Sequence, residues 1–400
     1  MHSRINSLTG LSRNVILLGL VSLFQDLSSE MLYPVVPMFL ATVLGAPMTV
    51  IGLIEGFAEF TAAILKAIFG RLSDRFQRRR AFITLGYGLS AMSRPLLLLA
   101  NSWGFVLASR LVDRLGKGVR TSPRDALLAA SAPAEHRGKV FGVHRAMDTI
   151  GAVLGPLLAI WLLAITDSDY RFVFLIAIIP TALAFLLTFF VKEIKPALNS
   201  PSARSPKTDH WLLNTENFSP AYWKFLAINF IFFLGNSSDV FLILRAKDFG
   251  LSSAAAILAY VIYNLTFALS AAPAGILSDR LGRRRVMQWG FLIFAGVYAG
   301  FALAPSTFLI WPLFALYGFY AAMTEGVSKA AIIDLIAPEH RGSAIGVFYM
   351  MTGVAALIAN VLAGWLWKEF SAPVALIFSA ALALFAGVFL FARKNESNFP

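Results

Sequence analysis

The chain is 400 residues long, 58% hydrophobic and 14% charged, with 35 phenylalanines and a mean hydropathy of +0.71. A soluble domain is nearer one half apolar and one quarter charged, so this composition excludes one. The formal net charge is +12, and the absence of cysteine excludes disulfides, thiolate catalysis and cysteine metal sites.

Apolar runs of bilayer-spanning length recur throughout, each of roughly 17–25 residues. They predict an all-α membrane protein with twelve transmembrane helices: 14–42, 49–70, 81–100, 103–131, 140–162, 170–192, 222–244, 252–275, 287–305, 307–333, 343–367 and 371–392. The start, MHSRINSLTGLSRNVILLGLVSLF, has the basic-then-apolar order of a signal peptide. It lacks a small-x-small cleavage site and continues into further apolar sequence, so it reads as an uncleaved first span. Basic clusters fall in alternate loops, at 71–80, 137–139, 192–207 and 280–285, at Arg341, and in the tail at 393–394. The intervening loops at 44–49, 101–103 and 304–307 are short and nearly uncharged. The positive-inside rule then places both termini in the cytoplasm, with the chain multi-pass in a bacterial-type inner (plasma) membrane. That asymmetry accounts for the excess charge without a nucleic-acid partner, and a basic inner face suits anionic lipid headgroups.

GRLSDRFQRRR (70–80) returns as GILSDRLGRRR (275–285), 205 residues later, and PAEHRGKVFGV (133–143) returns as APEHRGSAIGV (337–347), 204 residues later. A fainter echo links LSSEM (27–31) to NSSDV (236–240). Two copies of a six-helix unit in the same orientation explain all three. The expected organisation is an N-terminal bundle at 1–192, a polar cytoplasmic linker rich in Pro and Ser at 193–220, and a C-terminal bundle at 221–400.

The repeated loop resembles motif A of the major facilitator superfamily, and the likeness covers essentially the whole chain. It implies the major facilitator fold, with Gly70, Asp74 and Arg75 and their counterparts Gly275, Asp279 and Arg280 acting as gating loops at the cytoplasmic helix ends. The first copy departs at Gln77, where the motif has glycine; the second keeps Gly282. On the fifth span Gly142, Gly151, Gly155 and Pro156 resemble motif C, a pattern of the drug:proton antiporters, although Ala159 and Ile160 replace its last two glycines. Small residues permit close helix packing and proline removes a backbone donor, so an ordinary packing face is the simpler alternative.

RLVDRLGKGVRTSPRD (110–125) puts five cations and two carboxylates inside the fourth span. At about 100° per residue, Arg110, Asp113, Arg114, Lys117, Arg120, Arg124 and Asp125 fall within an arc of roughly 140°, opposite Leu111, Val112, Leu115 and Val119. The stripe is about 21 Å long, and charge at such depth must face water or partners within the protein. Candidate partners are Asp26 and Glu30 on the first span, with Ser29 and Tyr33 on the same face. The second span offers Glu55, Glu59 and Lys66, and the fifth His144, Arg145 and Asp148. Those spans carry −2, −1, +3 and 0 in order, a sum of zero with histidine neutral. The stripe therefore either balances those acids or grips an anionic cargo. By the resemblance Arg110 matches the motif B arginine of proton coupling, although Arg114 stands where that motif has glycine; a permanent ion pair is the alternative. Glu55 and Glu59 read equally as structure or function, and Lys66 as a snorkelling lysine.

The second half is sparser. Asn236 and Asp239 on the seventh span, Tyr263 and Asn264 on the eighth, and Tyr317, Tyr320 and Glu325 on the tenth are candidate cavity residues, with Tyr33, Lys117, Arg124 and Arg145 from the first half. Glu325 and Lys329, four apart, suit a local pair. The charge-network candidates are Asp26, Glu30, Glu55, Glu59, Arg110, Asp113, Arg114 and Asp148. No nucleotide-binding loop or metal spacing occurs, so no cofactor or metal is expected. The expected function is secondary active transport by alternating access, not enzymatic: proton-coupled efflux of a small organic compound by a monomer. Uptake or exchange of an organic carboxylate or phosphate ester is the alternative, and a transporter-like sensor a remoter one.

Overall fold

The computed structural model describes residues 12–76, 78–131, 137–194, 218–337 and 340–391, apart from the side chains at 67, 70, 71, 74, 75, 137, 138 and 391. Among the described residues the fold is helical without β-strands. The first half has α1 (Arg13–Leu32), α2 (Val35–Thr42), α3 (Met48–Phe76), α4 (Arg79–Leu98), α5 (Trp103–Ala130), α6 (Arg137–Ile165) and α7 (Tyr170–Thr188). The second has α8 (Pro220–Gly235), α9 (Val240–Asp248), α10 (Ser253–Leu281), α11 (Arg283–Leu303), α12 (Ile310–Leu335), α13 (Arg341–Glu369) and α14 (Ala372–Phe391).

These helices make twelve spans, because α1 with α2 forms the first and α8 with α9 the seventh. Ten spans are long and apolar enough by composition alone to cross a membrane. The other two are α4, with Arg94 among serine, glycine and tyrosine, and α5, with its seven charges. Neither interruption was expected. The first falls at Tyr33 and Pro34, where proline disfavours helix at the residue before it and cannot donate into the preceding turn. The second, at 236–239, has no proline; instead the Asn360 side chain takes the Ser238 N–H at 2.8 Å, satisfying a donor the helix has released.

Helix bounds repeat with the sequence. α3 and α10 begin and end 205 residues apart, and Gly45 and Gly250, the same distance apart, both take positive φ (59° and 88°) in the turn before them. The breaks share that spacing. The LSSEM–NSSDV echo does not: it is one helical turn out of register, since 27–31 lie inside α1. Gly282 has φ 90° between α10 and α11, which explains why motif A wants glycine there. Its counterpart Gln77 lies outside the described residues.

The helices pack as two compact units divided at Leu32/Tyr33 and Phe60/Thr61. One holds α1, the second half of α3 and α4–α7; the other holds α2, the first half of α3 and α8–α14. The packing boundary thus differs from the expected bundles at 1–192 and 221–400, because residues 33–60 group with the C-terminal helices. The linker expected at 193–220 lies mostly outside the described residues. The chain is anchored where it enters the linker: Asn14 exchanges two hydrogen bonds with Lys192 backbone (2.8 and 3.0 Å), and Glu193 accepts the N–H groups of Arg79 and Arg80 (3.2 and 2.8 Å).

In the first unit α1 packs on α6 and α7, and α4 on α5 and α7; in the second α8 packs on α13 and α14, and α11 on α12 and α14. Without a hydrophobic drive between helices in lipid, small residues decide where backbones approach. A Cβ on Gly86 would stand 2.7 Å from the Gly116 carbonyl oxygen, drawing α4 and α5 together beside the charged stripe. Outward faces carry large apolar side chains such as Met92, Trp161, Leu186, Leu269 and Leu384, as contact with acyl chains requires.

Candidate functional site

The first unit's chemistry centres on a residue that sequence reasoning missed. Arg94 of α4 is buried and forms an ion pair with Asp113 of α5 at 3.3 Å. Its Nε donates to Ser28 (3.1 Å), Nη1 to Ser93 (3.1 Å) and Nη2 to Ser29 (2.9 Å). α1 and α4 thereby hold one planar guanidinium from two sides. Arg110, Arg114 and Arg120 are buried and within electrostatic reach of Asp113. Arg120 donates to the Ser90 hydroxyl at 2.5 Å and lies 4.5 Å from the Tyr87 ring centre. The stripe's polar side therefore faces α4 and α1, and much of its hydrogen bonding goes to serine hydroxyls rather than to acids.

The zero charge sum expected from sequence covered the first, second, fourth and fifth spans. It omitted Arg94, and it counted Glu55 and Glu59, which pack in the second unit. Away from the span ends, and among the described side chains, the first unit holds eight cations (Lys66, Arg94, Arg110, Arg114, Lys117, Arg120, Arg124, Arg145) against five carboxylates (Asp26, Glu30, Asp113, Asp125, Asp148). The second unit holds Glu55, Glu59, Asp239 and Glu325 against Lys329.

Nearer the other end of the stripe, Arg124 pairs with its neighbour Asp125 (3.0 Å) and donates to Ser22 of α1 (3.1 Å). Asp26 has Asp148 as its strongest charged neighbour, followed by Glu30, Lys117 and Arg124. Asp148 is bridged by His144 on the preceding turn of α6 at 3.4 Å. The glycines of α6 explain this meeting. A Cβ on Gly151 would stand 2.5 Å from the Leu23 carbonyl oxygen and 3.2 Å from the Asp26 Cβ. One on Gly155 would stand 2.7 Å from the Leu27 carbonyl oxygen and 3.1 Å from the Glu30 Cβ. Only glycine lets α6 lie against the α1 turns that carry both acids, with Pro156 buried beside them. Gly142, expected on the same packing face, is exposed with nothing within 4 Å of a Cβ, so it takes no part. Arg145 is exposed, close to His144.

The second unit builds around tyrosines. Tyr33 stacks on Tyr260 (5.3 Å between ring centres), Tyr260 meets Tyr263 (5.6 Å), Tyr263 meets Tyr317 (4.9 Å), and Tyr317 meets Tyr320 (5.1 Å). Phe232 and Phe291 extend the ladder as a 3.9 Å stack. Tyr263, Tyr317 and Tyr320 were expected to line a cavity; they are 8%, 2% and 5% exposed and pack on one another. The polar atoms gather at the helix breaks. Tyr317 donates to Asp239 at 2.7 Å, Tyr298 donates to the Ser237 carbonyl at 3.2 Å, and the Tyr33 and Ser238 hydroxyls share a hydrogen bond of 3.1 Å. Ser238 also reaches the buried Glu55 carboxylate at 3.5 Å. Gly52 and Gly56 flank Glu55, and their α3 backbone lies directly on Asn360 and Leu357 of α13. Asn236 caps α8, half-buried, and Asn264 has a buried Nδ2 without a hydrogen-bond partner among the described residues. Glu59 is half-buried, Glu325 is exposed, and Lys329 lies 5.9 Å from the Tyr349 ring centre.

Of the expected gating residues, Gly70, Asp74 and Arg75 have side chains outside the described set. In the second copy Asp279 pairs with Arg283, which also reaches Asp334 of α12 at 3.3 Å and Ser278 at 2.6 Å. Arg280 is exposed, and Gly275 has open space around a Cβ position. Among the described residues no group of three or more His, Cys, Asp or Glu could hold a metal.

Paired helical units, interrupted first and seventh spans and intramembrane charge define a multi-pass membrane transporter. The chain belongs to the Major Facilitator Superfamily, whose model matches residues 18–244 and 225–398. An uncharacterized MFS-type transporter of Methanocaldococcus jannaschii is 38% identical over 387 residues, covering 95% of this chain and 94% of the relative. The cis,cis-muconate transport protein of Acinetobacter baylyi is 27% identical over 365 residues, 86% of each chain. The crystal structure of the nucleoside transporter NupG superposes with a TM-score of 0.76 at 17% identity, covering 96% of this chain and all of that one, and shares the fold.

Proposed function

We propose that this transporter works by secondary active transport with alternating access, carries a small organic anion and couples its movement to protons. The observation that carries the reading is the cationic surplus of the first unit, eight cations against five carboxylates away from the span ends among the described side chains. Intramembrane charge costs several kcal/mol unless it meets water or a counter-charge, and guanidinium forks suit carboxylates and phosphates. Arg110 and Arg114 are the proposed anion ligands, with Lys117 the next cation along α5, while Arg94 and Asp113 position them from behind. The relative named for muconate, a dicarboxylate, supports the same cargo chemistry. The basic loops support an inner-membrane location with both termini cytoplasmic.

A second reading, export of an organic compound in the manner of drug:proton antiporters, is favoured by the Gly151 and Gly155 packing of α6 on α1. The test is the purified protein in liposomes under an imposed pH gradient. Labelled muconate, an aromatic monocarboxylate and an organic cation are offered in parallel. Gradient-dependent accumulation of an anion supports the proposal; movement of the cation alone favours the second reading.

A further inference from the structure

We propose that Asp26, Asp148 and His144 form the site that carries the coupled proton, assembled by the glycines of α6. The inference rests on proton coupling as proposed above and names its seat.

Four observations point there. Asp26 on α1 and Asp148 on α6 come from different helices, and Asp148 is the first of the charged groups that act on Asp26. Gly151 lies three residues beyond Asp148 and fits against the α1 backbone next to Asp26, so the close approach is built into the packing. His144 has a side chain only 5% exposed and points Nδ1 at Asp148. Its Nε2 and the Asp148 Oδ1 are buried with no hydrogen-bond partner among the described residues, leaving an unused acceptor on each side of the bridge. Two carboxylates held together in a low dielectric repel when both are ionised, and one shared proton removes that repulsion. Arg94, by contrast, is fixed by three serine hydroxyls and holds Asp113 in an ion pair at 3.3 Å, which suits positioning.

The surrounding charges set the direction of the switch. α1 presents Asp26 and Glu30, α5 presents Lys117, Arg124 and Asp125, and α6 presents His144, Arg145 and Asp148. The proton enters from the aqueous phase onto a carboxylate oxygen of the pair, raising the local charge by one, and leaves to the opposite side after the transporter turns over. While it is bound, Lys117 and Arg124 have one fewer anion to answer, which favours an anionic cargo nearby. Proton and anion then favour the same loaded state.

The test separates this site from the cargo assignment. Wild-type protein in lipid vesicles is compared by infrared difference spectroscopy between mildly acidic and mildly alkaline buffer, without cargo. Wild type should show a protonated-carboxyl band lost on alkalinisation, and Asp26→Asn and Asp148→Asn should each remove it. His144→Gln should move its midpoint by about tenfold in proton concentration, about one pH unit. The double variant Asp26→Asn with Asp148→Asn leaves no unpaired acid and covers misfolding of either single change. A second arm measures muconate counterflow and pH-driven muconate accumulation in the same vesicles. Asp148→Asn should lose at least tenfold in accumulation while exchange continues with a lowered KM. A band that is absent in wild type, or that survives in the single or double variants, overturns the site whatever the cargo. Loss of the band in the variants with no muconate movement in wild type upholds the site and removes the muconate assignment.

Discussion

The two units have repeated architecture and opposite chemistry. In the first, α4 and α5 meet through Arg94, Asp113, Arg120 and a row of serines; in the second, α11 and α12 meet through Phe294, Tyr298, Tyr317 and Tyr320. The first is rich in fixed positive charge, and the second keeps four acids within an aromatic setting. Duplication conserved the backbone spacing because helix length and crossing are set by the bilayer and by small residues. It left the side chains free to divide the labour: polar residues deep in a span are tolerated wherever partners complete them, so either unit could accumulate them.

The most severe way to break this contrast is to remove Arg94. Arg94→Gln removes the guanidinium paired with Asp113 and strips three serines of their donor, at a cost of about 3–5 kcal/mol, as for other buried pairs broken on one side. Folded yield in detergent should collapse, and Arg94→Gln with Asp113→Asn should recover much of it. Recovery by an Asp26 or Glu30 partner instead would move the pairing to α1.

Backbone packing comes next. Gly155→Val must displace the Leu27 carbonyl and should cost about 1–3 kcal/mol, whereas Gly142→Val should stay within about 0.5 kcal/mol at its open, exposed position. Thermal midpoints of the two variants measure the difference; equal shifts would remove α6–α1 contact as the reason for the glycines.

In the second unit, Tyr317→Phe removes the donor to Asp239 and should lower stability by about 1.5 kcal/mol. The aromatic ladder remains, so the same variant should keep its tyrosine–phenylalanine contacts. The smallest effect belongs to the loop: Arg283→Gln breaks half-exposed ion pairs with Asp279 and Asp334, worth about 0–1 kcal/mol. If it slows transport without lowering the melting temperature, the loop acts on conformational balance.

Much of this architecture was legible. Hydropathy located twelve spans, and the repeated loops gave the 205-residue spacing that the helix bounds follow. The breaks were not legible: Pro34 is a visible cue, but the release at 236–239 depends on Asn360, far along the chain. Arg94 was hidden because a single arginine in a span shows nothing of its partners, and its importance comes from Ser28, Ser29 and Asp113 on other helices. That Glu55 and Glu59 group with the second unit was hidden for a related reason. Helix α3 runs unbroken from one packing unit into the other, and no pattern along its sequence marks the crossing at Phe60.

The surplus charge of the first unit is tested most directly by ligand-induced stabilisation of the purified protein. Muconate, an aromatic monocarboxylate, a sugar phosphate and an organic cation are titrated against wild type, Arg110→Gln and Arg114→Gln while the thermal midpoint is followed. At a hundred times its dissociation constant a bound anion should add about 2.7 kcal/mol to the folded state. The account predicts that at least one anion raises the midpoint of wild type and loses at least tenfold in apparent affinity in Arg110→Gln or Arg114→Gln. Stabilisation by the cation alone, or by an anion equally in all three proteins, would contradict it.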